Sequence, residues 1–252
     1  MAGAASCGSL NAPGLGLPLK ATVPDAKGAL PKQMFIGRGP VSAKLRQRFT
    51  TDLESIAMLA ILRSSNTGLT ESRRFPQILV LGLHVPGGGA VPVEVIDHIA
   101  AQRPGGIVFV CVRDGGPLTD PASGETVESD VEQCAFAVRR NVPVKPGHTP
   151  ITKVHAGVWR PATDAHLTVH GATMEELWDS LCAQVIADDV DGSDIDKRIA
   201  ARERAVFLAA EYAKAEAAHG RAKTTEQRNA AYGKMLAIRK ELAQLRVWTP
   251  YP

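Results

Sequence analysis

The chain lacks closely spaced cysteines. Cys7, Cys111, Cys134 and Cys182 form no CxxC pair and no short-spaced couple. That argues against a zinc ribbon, a dithiol redox motif and a disulfide framework, and it points to a reducing compartment. Cys111 and Cys134 fall in apolar runs, where a free cysteine serves as a small core residue. Aromatic residues make up only 5% of the sequence. No apolar run is long enough to span a bilayer. The N-terminus is apolar but has no positive flank of the kind a signal peptide carries. These absences lead us to expect a soluble, cytoplasmic protein with no membrane partner.

Signatures of phosphate, metal and hydrolase chemistry are missing too. Gly87-Gly88-Gly89 stands between a strand-like and a helix-like run, but neither GK[ST] nor GxGxxG is present, so it reads as a surface turn. There is no GxSxG. Asp188-Asp189-Val190-Asp191-Gly192 resembles part of a calcium loop without the closing glutamate, so it reads as a linker. His148, His155, His166 and His170 are the best metal candidates. On a shared strand face His166 and His170 would stand about 13 Å apart, too far for one zinc. We therefore expect no metal, no cofactor and no locally encoded catalytic residue.

What is present is enough apolar residue to build a core. The 252 residues are 44% hydrophobic and 22% charged, as in ordinary globular chains. Residues 1–30, rich in Gly, Ala, Pro and Leu without a period, read as a disordered or extended arm. Residues 31–190 read as a mixed α/β domain. Leu45, Phe49, Leu53, Ile56 and Leu59 or Ala60 recur at helical spacing and predict one helix through VSAKLRQRFTTDLESIAMLAILR, restarted by a capping box at Thr51-x-x-Glu54. QILVLGLHV and GIVFVCVR are buried strands on either side of the helix VPVEVIDHIAAQ. Asp114 to Asp130 reads as a long polar loop. VEQCAFAVRRNV and ITKVHAGVWR are two further strands, with a short extension at Thr168–His170. Thr173-x-x-Glu176 is a capping box that opens the helix MEELWDSLCAQVIA. The fold class is α+β: a mixed β-sheet with packed helices in the order αβαβββα, followed by a C-terminal antiparallel helical hairpin.

The hairpin, residues 191–252, carries the most distinctive pattern. Two helical runs break once at His219–Gly220 and restart at Thr224–Thr225. Ile195, Ile199, Val206, Ala209 and Ala213 in the first run, and Ala231, Met235, Ile238, Leu242 and Leu245 in the second, approximate a coiled-coil seam. From Ser193 to Val247 there are 12 Lys/Arg and 7 Asp/Glu, a net of +5, whereas the remainder nets −2. Lys197, Arg198, Arg202, Arg228, Lys234 and Arg239 are the candidate nucleic-acid or partner contacts. The seam is rich in alanine and buries little area. Such a pair requires a further surface to pack on, supplied by its own body, by a second copy or by another protein.

From about Pro31 to Leu245 the sequence resembles a bacterial family known as domain of unknown function four-three-nine-one. The residues that carry the resemblance are Leu30-Pro31-Lys32 with Phe35, Ser42-Ala43-Lys44-Leu45, Phe49 with Asp52 and Glu54-Ser55-Ile56, and Asn66-Thr67-Gly68-Leu69. QILVLGLHV, Val95-Ile96-Asp97-His98-Ile99 and Gly106-Ile107-Val108-Phe109 follow. Val158-Trp159, His170 to Trp178 and Arg239-Lys240-Glu241-Leu242 complete it. The tail is richer in alanine than is typical of the family. The resemblance carries no active site. It implies a genomic setting beside helicases and DNA methyltransferases in restriction or phage-defence clusters.

Three readings of function follow. The leading one is a non-enzymatic accessory subunit of such a system, docking on a helicase or methyltransferase, with DNA as a second partner. The second is a divergent metal-dependent nuclease, with Asp97, Asp114 and Glu132 as candidate acids. The third is a structural homodimer joined through Met235, Ile238 and Leu242.

Overall fold

The computed structural model describes residues 3–37, 41–119, 124–142 and 151–245. Pro40, His148 with its Pro-rich turn, the apex at 120–123 and Trp248 lie outside the described residues. The chain divides into two compact units, Met1–Ser193 and Asp194–Pro252.

The first unit opens with a small hairpin, β1 (Ser6–Cys7) and β2 (Leu10–Asn11), then a 3-10 turn at Leu19–Ala21. The short helices α1 (Asp25–Gly28) and α2 (Gln33–Ile36) precede α3 (Ala43–Thr51). Next come β3 (Ser55–Leu62), α4 (Ser64–Thr67), β4 (Ile78–His84) and α5 (Val93–Ala101). The long strands β5 (Gly106–Thr119) and β6 (Thr126–Val142) are followed by β7 (Ile151–Ala156), β8 (Arg160–Pro161) and α6 (Met174–Ala187). The second unit is α7 (Ile195–Arg221) and α8 (Thr225–Leu245).

The main sheet runs β3-β4-β5-β6-β7, with β8 also paired to β6. Only β4 and β5 are parallel; the other neighbours are antiparallel. This is the mixed sheet with packed helices and C-terminal helical pair that the sequence predicts. The parallel pair is buried on both faces, which is why its sequence is continuously apolar rather than alternating. Leu79, Leu81, Leu83, Ile107, Phe109 and Cys111 face Phe35 of α2, Phe49 of α3 and Val95, Ile96 and Ile99 of α5. On the opposite face α6 lies so close that a Cβ on Gly106 would meet the Trp178 ring, and one on Gly82 would meet Cys7.

Three local expectations are overturned. The helix expected through VSAKLRQRFTTDLESIAMLAILR ends at Thr51, and Ser55–Leu62 is the strand β3. Ser42, not Thr51, is the capping residue, accepting a hydrogen bond from the Leu45 amide. The apolar run of β3 happened to match a helical period. Its burial on nearly every residue is that of an inner strand, which periodicity alone does not separate from a helix. The loop expected over Asp114–Asp130 is in its described part the far end of the β5–β6 hairpin, paired as Leu118↔Val127 and Thr119↔Thr126 beyond a bulge at Asp114/Gly116. Thr168–His170 is not a strand.

The N-terminal stretch, expected as a disordered or extended arm, is an ordered strap. Ala5, Cys7, Leu10, Ala12, Leu15, Leu17, Ala21 and Val23 are buried. The strap bridges β3 at Thr22↔Ala60 and Ala29↔Ala57. The Val23 amide donates to the Leu59 carbonyl at 3.0 Å and the Leu30 amide to Ile56 at 2.9 Å. Its alanines and leucines show no period because it is neither helix nor long strand. It is apolar because it shields an otherwise open sheet edge.

Glu132 of β6 fastens the β1–β2 turn. Its carboxylate accepts from the Ser9 amide at 2.8 Å and from the Ser9 hydroxyl. We expect Glu132→Ala to lower unfolding free energy by about 1–2 kcal/mol, the scale of hydrogen bonds to a charged acceptor. Limited proteolysis should then cut first within residues 3–20.

Candidate functional site

The C-terminal ends of a parallel strand pair are where α/β sheets place binding and catalytic groups. Here β4 ends at His84, level with Val112 of β5. The His84 Nδ1 lies 2.7 Å from the Glu54 carboxylate, and its Nε2 stands 3.9 Å from Asp114. The first distance is a hydrogen bond and the second is not. Glu54 thus orients the ring, with the other nitrogen turned toward Asp114. The Glu54 amide in turn donates to the His84 carbonyl at 2.7 Å. Asp114 and Glu54 are largely exposed, whereas the ring is mostly shielded.

Beside this group, Arg113 is only 2% exposed. Its guanidinium donates to the Gln133 side chain at 2.9 Å, the Gly89 carbonyl at 2.6 Å and the Pro117 carbonyl at 2.8 Å. It also lies 4.1 Å over the Trp159 ring. Gln133 completes the network by donating to the Gly116 carbonyl at 2.8 Å. Loss of solvation pushes the Arg113 pKa down, and the charge of Glu128 opposes that. The arginine joins the Gly87–Gly89 turn, the bulge of β5, and β6. That turn offers no open cradle of amides. Gly88 donates to the Gly115 carbonyl and Gly89 to that of Pro86, and a Cβ on Gly87 or Gly89 would collide with backbone. Sequence reasoning missed Arg113; the signal was a lone cation closing an apolar strand just before Gly115-Gly116.

The acids weighed for a nuclease do not converge. Asp114 and Glu132 are register partners on β5 and β6, but Glu132 is engaged with Ser9, and Asp97 on α5 is held by Arg139 at 2.6 Å. Among the described residues no group of three or more His, Cys, Asp or Glu side chains is placed to hold a metal ion. His155 sits in β7 opposite Val138, His166 packs its ring on Gly16, and His170 lies in a loop. The four cysteines are buried and in no disulfide. Burial, and then the charge of Glu132, pushes the Cys7 thiol up to about 12. Cys134 rises to about 12 from burial and then Cys7. They are core groups rather than nucleophiles.

In the second unit, α7 and α8 pair antiparallel. Arg204 bonds Glu241 at 2.6 Å, Lys234 bonds Glu211 at 3.1 Å, and Arg239 lies over Tyr212. This register sets Leu208 level with Ile238 and Ala215 level with Ala231. The chain is helical through Gly220 to Arg221, and Thr224 caps α8 by accepting from the Gln227 amide. Inward residues of α8 are Ala231, Met235, Ile238, Leu242 and Leu245. The inward stripe of α7 is Ala201, Ala205, Leu208, Tyr212 and Ala215, not the one containing Val206. Val206 is 66% exposed, and Ala209 and Ala213 are exposed too. At 3.6 residues per turn, Ile195, Ile199, Val206 and Ala213 form a second apolar stripe on the side away from α8. Ile195 and Ile199 are themselves buried.

The same geometry sorts the six candidate cations. Lys234 lies on the ion-paired side with Arg204, Glu211 and Glu241, and Lys197 is bonded to Asp194 at 2.7 Å. Hydrogen bonds from Lys214 and then Lys234 hold the Glu211 carboxyl below its usual range. Arg198 and Arg202 on α7, and Arg228 and Arg239 on α8, fall on the other side of the hairpin.

A family model described as Domain of unknown function (DUF4391) matches residues 15–242, a span that takes in the N-terminal strap, the sheet and both hairpin helices. No curated protein and no solved structure matches the chain.

Two outcomes test the bracing role of the buried groups. Arg113→Lys removes the fork of hydrogen bonds and the stacking on Trp159, and should lower unfolding free energy by about 2–4 kcal/mol in urea titrations. Iodoacetamide at mildly alkaline pH should leave Cys7, Cys111 and Cys134 unlabelled until the chain is denatured. Because Cys7 and Cys134 are raised from 9.0 to about 12, their contribution holds below pH 9 and is lost as pH climbs toward 12.

Proposed function

The chain belongs to the DUF4391 family, and from that premise we propose that it is a non-enzymatic accessory subunit of a DNA restriction or phage-defence system. Its first unit is the structural body. Its helical hairpin is the surface on which a helicase or DNA methyltransferase subunit docks, with DNA as a second partner.

The observation that carries the reading is the outer surface of the hairpin. Val206, Phe207, Tyr232 and Leu236 are 66%, 54%, 52% and 47% exposed. Four large apolar side chains on one small helical pair exceed the scatter of single exposed residues that needs no explanation. Aromatic anchors beside arginines are the composition of protein interfaces. Arg198, Arg202, Arg228 and Arg239, on the side opposite Arg204 and Lys234, give a phosphate backbone a place to lie, and binding through them falls steeply with salt. The first unit supports the reading in a second way: the acid–imidazole pair of Glu54 and His84 stands beside a network that braces strands and turns.

The test is co-purification of the tagged chain from its host, with the wild type and Val206→Glu/Leu236→Glu compared. The wild type should retain a helicase or methyltransferase, and the variant should lose it at an unchanged melting temperature. Retention by the variant refutes docking through this surface. Light scattering on the purified chain is the companion measurement: a dimer abolished by the same variant favours a homodimer through this outer surface instead, since Met235, Ile238 and Leu242 face α7.

A further inference from the structure

The strap and β3 enclose a cleft that the reading above does not use. Thr22 and Ala29 of the strap bridge Ala60 and Ala57 of β3. Seven residue steps on the strap therefore face three on the strand. The surplus is taken up by the single turn of α1, which arches away from β3. Beneath and beside this arch lies a cleft of about 380 Å³. That volume is at the lower end of small-molecule pockets, which run from about 300 to 1,000 Å³.

Its lining is divided by chemistry. Val23, Leu30, Met58 and Ile61 supply an apolar floor, and Lys20, Lys27 and Arg63 stand around it with no acidic residue in the lining. Among the described residues neither Lys20 nor Lys27 has an ion pair. The Arg63 guanidinium donates only to the neutral Gln77 side chain, at 3.1 Å and 3.3 Å. Three cations of one sign repel one another unless an anion joins them. Asn66 is fully engaged, accepting from the Arg63 amide and donating to the Ile61 carbonyl. Thr22 also lines the cleft, and its hydroxyl is screened from solvent without any hydrogen-bond partner. A hydroxyl so screened is out of reach of a molecule in the open cleft, so the cations and the apolar floor carry the recognition.

We infer that the cleft between the N-terminal strap and β3 binds a small amphipathic anion, a carboxylate or phosphate monoester on a compact apolar body. The apolar body lies on Met58 and Ile61, and Lys20 and Lys27 pair with the anionic group.

The experiment is calorimetric titration of the full chain with phenyl phosphate and with benzoate, using inorganic phosphate and benzyl alcohol as arms that carry only the charge or only the ring. Saturable binding of at least one of the two amphipathic anions is expected, at least about tenfold tighter than either control arm. Lys20→Gln/Lys27→Gln, which alters two exposed side chains, should weaken it about tenfold while the melting temperature is unchanged. The proposal is overturned if neither anion saturates below about 10 mM. It is also overturned if inorganic phosphate binds as tightly as phenyl phosphate, or if Lys20→Gln/Lys27→Gln leaves the affinity unchanged.

Discussion

The fold depends on the double-sided burial of the β4–β5 pair. Fourteen register-matched residues, Ile78–His84 against Gly106–Val112, present apolar side chains or bare glycine backbone to both faces until His84. Neither face tolerates water, so each must be covered. α2, α3 and α5 cover one and α6 covers the other, with the β1–β2 hairpin laid over Gly82. At about 25 cal/mol per Å² of apolar surface, this two-sided cover is the largest stabilising contribution available to the first unit. The glycines at 82 and 106 are where a covering side chain has to come closest to the sheet.

How much of this was legible depends on whether the covering element left its own local trace. β4 and β5 were readable because continuous apolar runs of that length, flanked by turns, have few alternatives. α6 was readable because Thr173 and Glu176 form a capping box, and the Thr173 hydroxyl indeed accepts from the Glu176 amide. β3 was not, because Ile56, Leu59 and Ala60 satisfy a helical spacing and a strand equally well. The strap was not, because its order comes from backbone bonds to β3, and no side-chain pattern records them. The extended β5–β6 hairpin was hidden behind Gly115 and Gly116, which mark a bulge and not the end of a strand. At the end of the parallel pair, the Glu54–His84 contact joins residues far apart in sequence and has no local signature. Arg113 was missed, because nothing local records its bonds to Gly89, Pro117 and Gln133.

The hairpin teaches a related lesson about α7. Two apolar stripes run along it, one through Leu208 and one through Ile195, Ile199 and Val206. A periodicity search finds whichever stripe has the larger side chains, which is the outer one. Pairing with α8 uses the smaller one, because alanines at 201, 205 and 215 allow the two backbones to come close. Only the stripe through Leu208 is paired with α8, and Val206 on the other stripe is 66% exposed.

The strap's attachment to β3 has an evolutionary corollary. Its two bridge points are fixed by hydrogen bonds to the strand, but the number of residues between them is not. Adding or deleting a residue among the exposed positions 25–27 would change the span of the arch while leaving the Val23–Leu59 and Leu30–Ile56 hydrogen bonds and the register of the main sheet in place. The aperture of the cleft is thus governed by chain length, a quantity that drifts by insertion and deletion more freely than any packed residue can be replaced. Members of the family could differ in what they admit at this edge while sharing every strand beneath it.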